Sequence, residues 1–245
     1  MNPPSSPVSP EDAAQEAISL HQNGRLDEAA ALYERILRQS PKNAEILYFS
    51  GALAAQQGHH ELALDRLAEA AALAPHVADI HYNLGVVLKE MGRFHDAADT
   101  YRQAIKINPQ FPDAYNNLGF VLQCMNRLND AADAYRTALD LNPTYAEVRI
   151  NLALLLKQCG DYEGAAAEFK RAIEQAPGNR ELEHDLRDTY RRMVPSWHFP
   201  MLNDRIRNET YQKAIFNTVK SDDIVLDIGC GSGLLAMMAA KAGAK

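Results

Sequence analysis

A glycine-rich turn near residue 230 of this 245-residue chain has the composition of a cofactor-binding loop. The apolar run IVLDIG, residues 224–229, predicts a short strand that carries Asp227, and GLLAMMAAKAGA predicts a helix. The turn between them contains Gly229, Gly231 and Gly233, whose missing Cβ atoms let a ligand approach the backbone. A strand, a glycine-rich turn and a helix form the first unit of a Rossmann-like α/β domain that binds a nucleotide. The alternative is a glycine turn that binds nothing.

The spacing of these glycines separates two classes of cofactor. The dinucleotide fingerprint GxGxxG requires a third glycine where this chain has Leu234. The sequence DIGCGSG instead resembles motif I of class I methyltransferases, which bind S-adenosylmethionine. The resemblance implies that Asp227, Gly229, Gly231 and Gly233 shape the floor of the S-adenosylmethionine pocket.

The segment WHFPMLNDRIRNETYQKAI, before the strand, resembles the N-terminal helix of protein arginine methyltransferases. The matching residues are His198, Met201, Leu202, Asp204, Arg207 and Tyr211. In that family this helix folds over the cofactor. The resemblance implies that Met201 packs on S-adenosylmethionine, that Arg207 pairs with its methionyl carboxylate, and that His198 belongs to the same site. A planar guanidinium suits a carboxylate, although Arg207 taken alone would be read as an exposed helix arginine.

The resemblance also implies an activity, the methylation of arginine side chains. Family members hold the substrate guanidinium with two glutamates in a loop that follows the second strand. Residues 1–245 contain no counterpart of that loop, so we assign no catalytic residue and expect residues 1–245 alone not to transfer methyl groups. One alternative is another methyltransferase that shares motif I, which the MLNDxxR segment disfavours. The other is a non-catalytic repeat scaffold with a vestigial methyltransferase segment.

The elements ahead of these segments follow a repeat of 34 residues. Five copies run without a gap from Pro10 to Asn179, and each predicts two helices joined by a tight turn. The turn residues, which predict a left-handed backbone conformation, are Gly24, Gly58, Gly92, Asn126 and Gly160. The prolines that end the second helices are Pro41, Pro75, Pro109, Pro143 and Pro177.

Small and bulky residues recur in the second helices. The alanines that let the helices of a pair approach closely are Ala29, Ala63, Ala97, Ala131 and Ala165. Four positions later, bulky residues lie on the same helical face and fill the gap: Tyr33, Leu67, Tyr101, Tyr135 and Phe169. This pattern resembles the tetratricopeptide repeat (TPR), which implies an α-helical superhelix of five repeats.

These patterns divide the chain into three parts. Residues 1–9, rich in proline and serine, predict a disordered tail. Residues 10–193 form the predicted TPR domain, which the charged segment 180–193 closes as a capping helix. Residues 194–245 are the predicted N-terminal part of a Rossmann-like methyltransferase domain.

The first helices of stacked repeats line a concave groove, so residues at one repeat position form a row along it. Asn83, Asn117 and Asn151 occupy the sixth position of three consecutive repeats and are called the asparagine row. A primary amide both donates and accepts hydrogen bonds, which suits sequence-independent binding of an extended peptide. Similar rows occur in the repeats of O-linked N-acetylglucosamine transferases, which these repeats resemble. The alternative is that asparagine is simply common at this position.

Carboxylates form a second row at the second position of each repeat. This acidic row consists of Glu11, Glu45, Asp79, Asp113 and Glu147. The helix dipole favours acids in the first turn, which is a purely structural explanation. A groove lined by Asp79, Asp113 and Glu147 would also attract an arginine-rich or lysine-rich ligand, and the two explanations are compatible.

Composition limits the remaining classes of function. The net charge of −7 disfavours direct binding to nucleic acid, so we expect protein or peptide partners. No apolar run has the length of a membrane span, and the first residues, MNPPSSPVSPEDA, lack the hydrophobic centre of a secretory signal. Three scattered cysteines provide no disulfide framework, and no metal site is predicted. We expect a protein of the cytoplasm, with the nucleus as the alternative.

Overall fold

The computed structural model describes residues 10–193 and 205–220, and for residues 10, 11 and 205–207 it describes the backbone alone. These parts of the chain contain twelve α-helices: α1 (Pro10–Gln22), α2 (Leu26–Gln39), α3 (Ala44–Gln56), α4 (His60–Leu73), α5 (Ala78–Glu90), α6 (Phe94–Ile107), α7 (Pro112–Cys124), α8 (Leu128–Leu141), α9 (Ala146–Gln158), α10 (Tyr162–Gln175), α11 (Arg180–Met193) and α12 (Arg205–Thr218). The predicted tail of residues 1–9 and the predicted strand and turn of residues 224–233 lie outside the described residues.

The turns within the helix pairs have the predicted left-handed backbone. The four turn glycines have φ between 73° and 81°, and Asn126, which tolerates this conformation, has φ 58°. In the turn between α3 and α4, Gly58 N donates to Ala55 O at 3.0 Å and His59 N donates to Ala54 O at 2.8 Å. These two bonds form a Schellman motif, which satisfies carbonyls that the helix end leaves open. The prediction for the turn residues is therefore confirmed.

The second helices end where the prolines require. Each stops two residues before its proline, as α2 does at Gln39 before Pro41. Proline disfavours the helical conformation in the preceding residue, and Ser40 accordingly has φ −136°. The same ending recurs in α4, α6, α8 and α10. The predicted helix ends are confirmed.

The core of each pair is built from the predicted small and bulky residues, all five of each kind being fully buried. In the third and fourth repeats a glycine in the first helix lies directly against the bulky tyrosine. A Cβ atom on Gly85 would lie 2.6 Å from a ring carbon of Tyr101, and one on Gly119 would lie 2.7 Å from a ring carbon of Tyr135. Only glycine therefore allows this close approach without a shift of the ring.

The first helices form one continuous wall. α3 contacts α5, α5 contacts α7 and α7 contacts α9, while α2, α4, α6 and α8 each pack between two first helices. This wall is the predicted groove, and it positions the residues discussed below. The five pairs belong to one compact unit that ends at Leu182, and a second unit begins at Glu183. Within the described residues, none of the helices is both long and apolar enough to cross a bilayer.

Candidate peptide-binding groove

The asparagine row makes hydrogen bonds between neighbouring repeats. Asn83 Nδ2 donates to the hydroxyl of Tyr48 at 2.9 Å, and Asn117 Nδ2 donates to the hydroxyl of Tyr82 at 3.0 Å. In the next repeat, Asn151 Nδ2 donates to Asn116 Oδ1 at 3.2 Å. One N–H of each amide is thus used by the previous repeat. Each amide keeps a second N–H, and its carbonyl oxygen can also accept, although Asn117 Oδ1 already accepts from Lys89 at 3.3 Å. The row therefore retains both donors and acceptors for a peptide backbone.

The acidic row lies in the first turns of the groove helices. Asp79 and Glu147 are exposed, whereas Asp113 is half-buried and accepts a hydrogen bond from the Tyr145 hydroxyl at 2.5 Å. Burial raises the pKa of Tyr82, and the nearby carboxylate of Asp113 raises it further. The Tyr82 hydroxyl therefore stays neutral, and the acidic row supplies the formal negative charges along this edge of the groove. Both explanations of the row remain compatible with this placement.

A cleft of about 520 Å³ opens in the groove across α5, α7 and α9. It brings together two members of the asparagine row and one of the acidic row. The residues that line it are Lys89, Glu90, Phe94, Asn116, Asn117, Phe120, Glu147 and Asn151. Phe120 is 44% exposed, which is unusual for so large an apolar ring. The cleft is the point of the groove where polar, charged and aromatic groups converge.

Lys89 lies over this exposed ring. Its Nζ is 5.7 Å from the centroid of Phe120 and donates to Asn117 Oδ1 at 3.3 Å. Its Nζ is also 3.9 Å from Glu90 Oε1. Sequence reasoning missed both Lys89 and Phe120, because the residue types at their positions change from one repeat to the next. The two residues occupy the twelfth and ninth positions of their first helices, which lie on the same helical face as the groove. This spacing is the signal in the sequence that could have identified them.

The residues predicted to bind the cofactor are not placed by the described structure. His198, Met201, Asp227 and the three glycines of the turn lie outside the described residues. Arg207 lies in the first turn of α12, where only its backbone is described. The cofactor site therefore remains a prediction from the sequence.

The repeats are similar to known tetratricopeptide-repeat families and structures. Residues 15–78 and 125–188 match the family described as tetratricopeptide repeat, and residues 87–126 match that described as TPR repeat. The crystal structure of MamA superimposes with a TM-score of 0.64 and 25% identity over 67% of this chain and 96% of that chain. The structure of YrrB, described as a TPR protein with an unusual peptide-binding site, gives a TM-score of 0.64 with 20% identity. It covers 72% of this chain and 91% of that chain.

The C-terminal segment is similar to methyltransferases. Residues 211–245 match the family described as ribosomal protein L11 methyltransferase (PrmA). The arginine N(omega)-methyltransferase of Streptomyces achromogenes subsp. streptozoticus is 57% identical over 54 residues, which are 22% of this chain and 15% of that protein. Protein arginine N-methyltransferase 9 of Xenopus laevis is 42% identical over 69 residues, which are 28% of this chain and 8% of that protein. The chain thus spans a small part of the length of these curated relatives.

Proposed function

Since the chain carries tetratricopeptide repeats ahead of a segment similar to protein arginine methyltransferases, we propose that it is the N-terminal portion of a protein arginine N-methyltransferase. The repeats would bind the protein or peptide substrate, and the C-terminal segment would begin the S-adenosylmethionine site. The reaction would move the methyl group from the sulfonium sulfur to a terminal guanidinium nitrogen of an arginine, leaving a neutral thioether as the leaving group and releasing one proton from that nitrogen. Two parts of the chain support this proposal independently: the repeats, through the cleft in their groove, and the C-terminal segment, through its similarity to an arginine methyltransferase.

The cofactor side of the proposal rests on residue chemistry. The glycines at 229, 231 and 233 would let the cofactor approach the backbone, with Asp227 beside them. Arg207 would hold the methionyl carboxylate through its planar fork of donors, and Met201 would pack on the cofactor. His198 would belong to the same site. The cofactor itself supplies the electrophilic methyl group when bound.

The cleft in the groove is the observation that supports substrate binding by the repeats. The cleft is lined by amide, carboxylate and aromatic side chains, and the asparagine row places amide groups along the same groove. An extended peptide offers backbone N–H and C=O groups at regular intervals, which suits such amide groups.

Cys124 and Cys159 are free thiols, as in a reducing compartment, and we propose the cytoplasm or the nucleus as the location of the protein.

The test is methyl transfer by the protein expressed from its complete reading frame. We expect transfer of radiolabelled methyl groups to arginine in a protein substrate, and we expect Arg207→Ala to weaken S-adenosylmethionine binding measured by calorimetry. Arg205→Ala, two residues earlier in the same helix and outside the family pattern, is the matched control and should leave binding unchanged.

Groove variants separate the two halves of the proposal. Asn117→Leu should raise KM for a protein substrate while leaving kcat and cofactor affinity unchanged, because the groove lies outside the predicted cofactor segment. Peptide binding with neither methyl transfer nor cofactor binding would instead identify a repeat scaffold with a vestigial methyltransferase segment, and would overturn the enzymatic proposal.

A further inference from the structure

The twelfth position of the first helix has a different role in the third repeat. In the first repeat His21 Nδ1 lies 3.4 Å from the Tyr33 hydroxyl, and in the fourth Gln123 Oε1 accepts from the Tyr135 hydroxyl at 3.3 Å. The third repeat has Lys89 at this position. Its ammonium donates to Asn117 Oδ1 instead of to a tyrosine. The buried hydroxyl of Tyr101 has no hydrogen-bond partner in the described structure.

Lys89 is instead held by the cleft. The ring face of Phe120, the carbonyl oxygen of Asn117 and the carboxylate of Glu90 surround its ammonium at the distances given above. An aromatic face, a neutral acceptor and a carboxylate are the groups that recognise an organic cation. Glu147 adds a second carboxylate to the lining, in which Lys89 is the single cation among residues that the structure describes.

We propose that this cleft is a subsite for a cationic side chain of the peptide ligand, with arginine preferred, and that Lys89 occupies it when no ligand is bound. The inference rests on the proposed function, because it names the side chain that the groove would take from its substrate. Charge complementarity supports it, since the cleft without Lys89 offers two carboxylates and no cation. The acidic row extends the same negative potential along the groove.

Arginine fits this subsite better than the lysine that it would displace. A guanidinium is planar, stacks on an aromatic ring and is weakly hydrated, whereas an ammonium is a compact and strongly hydrated charge. Its five donors can also reach Asn117 Oδ1 and a carboxylate at the same time. The side chain of Lys89 is 22% exposed and therefore borders solvent, towards which it would turn when a ligand enters.

Among the five described repeats, the fourth alone has an aromatic residue at the ninth position of its first helix. The residues equivalent to Phe120 are Ile18, Ala52, Val86 and Leu154. These aliphatic side chains have no π face to attract a cation. A bound peptide would therefore place one arginine at a defined position between the third and fourth repeats.

The experiment measures peptide binding to the 245-residue chain by fluorescence anisotropy. The probes are three labelled glycine–serine peptides of equal length that carry evenly spaced arginines, glutamines or glutamates. We expect the arginine peptide to bind most tightly, and we expect its affinity to fall as salt is added. Phe120→Leu, which keeps an apolar side chain but removes the π face, should weaken arginine-peptide binding about 3- to 10-fold.

Lys89→Met is the decisive variant. It keeps the length and apolar stem of lysine but removes the competing cation, so arginine-peptide binding should tighten about 3- to 10-fold. Leu62→Ala changes a residue that is as exposed as Phe120 but lies on α4, outside the cleft, and it should leave arginine-peptide binding unchanged. Circular dichroism spectra that match the unmodified chain establish that each variant is folded.

The remaining outcomes distinguish failure of the arginine subsite from failure of the peptide-binding groove. Preference for the glutamate peptide, with binding lost in Lys89→Met, would make Lys89 an anchor for an anion and would overturn the subsite. Arginine-peptide binding that neither Phe120→Leu nor Lys89→Met alters would also overturn it, while leaving the peptide-binding groove in place. If no peptide bound at all, the substrate-binding role of the groove would fall together with the subsite.

Discussion

Gly119 packs directly against Tyr135, so the sign of the stability change caused by Gly119→Ala tests the packing of the helix pairs. In an exposed helix, Gly→Ala stabilises by about 1 kcal/mol, because alanine loses less backbone entropy. At Gly119 the added methyl carbon would lie 2.7, 2.8 and 3.0 Å from three ring carbons of Tyr135. Ordinary carbon–carbon contacts are about 3.5–4.0 Å, so the ring must retreat by roughly 1 Å.

The ring of Tyr135 has little room to retreat. It is fully buried, and its hydroxyl donates to Gln123 Oε1. Forcing an extra methyl group into a filled core costs about 1–3 kcal/mol, and full enclosure places this site near the upper end. With the gain in helix propensity subtracted, we expect Gly119→Ala to lower the free energy of unfolding by about 2 kcal/mol.

The fifth repeat provides the reciprocal control. Ala153 occupies the equivalent position there, and both it and the facing Phe169 are fully buried. Ala153→Gly should therefore also destabilise, by about 2 kcal/mol, through lost helix propensity and a lost buried methyl group. Helix propensity alone predicts opposite signs for the two substitutions, whereas packing predicts the same sign.

Urea unfolding monitored by far-UV circular dichroism measures both variants. A double-mutant cycle with Tyr135→Leu identifies the cause, because the cost of Gly119→Ala should largely disappear when the ring is absent. The reasoning would be refuted if Gly119→Ala were more stable than the unmodified chain. It would also be refuted if the cost stayed the same in the Tyr135→Leu background.

Three further predictions concern hydroxyls and caps. Tyr101→Phe should be neutral or stabilise by about 1 kcal/mol, because it removes a buried hydroxyl without a described partner. Tyr135→Phe should instead cost about 1 kcal/mol, because it removes the hydrogen bond to Gln123. Thermal unfolding of the two variants compares these effects. Asn43→Ala should cost about 1 kcal/mol by removing the N-cap bond from Ile46 N, and urea titration measures that loss. Burial raises the pKa of Tyr101 and of Tyr135 above 10.0, so the native state keeps protons that the unfolded chain loses, and stability should fall as pH rises above 10.0. Tyrosine absorbance near 295 nm should then change together with the helix signal during alkaline unfolding, and independent transitions would contradict this coupling.

Much of the fold follows from local rules that the sequence displays. The turn residues, the prolines and the small and bulky residues recur at fixed positions, and each acts within one helix pair. Glycine at a left-handed position needs only its own backbone freedom, and proline ends a helix through its immediate neighbour. These predictions are confirmed because the forces behind them act over a few residues.

The function of the groove depends on contacts that no local rule contains. The sequence predicted Asn117 as a donor and acceptor for a ligand. In the structure, however, its Nδ2 donates a hydrogen bond to Tyr82, which lies 35 residues earlier, and its Oδ1 accepts one from Lys89. Likewise Lys89 and Phe120 come together only because α5 and α7 pack side by side. The sequence by itself determined which residues turn, pack and end the helices, since those roles are set by backbone conformation and side-chain volume. Only the tertiary structure decided which polar groups are already paired and which face a ligand, because pairing depends on distances between repeats that the packing of whole helices sets.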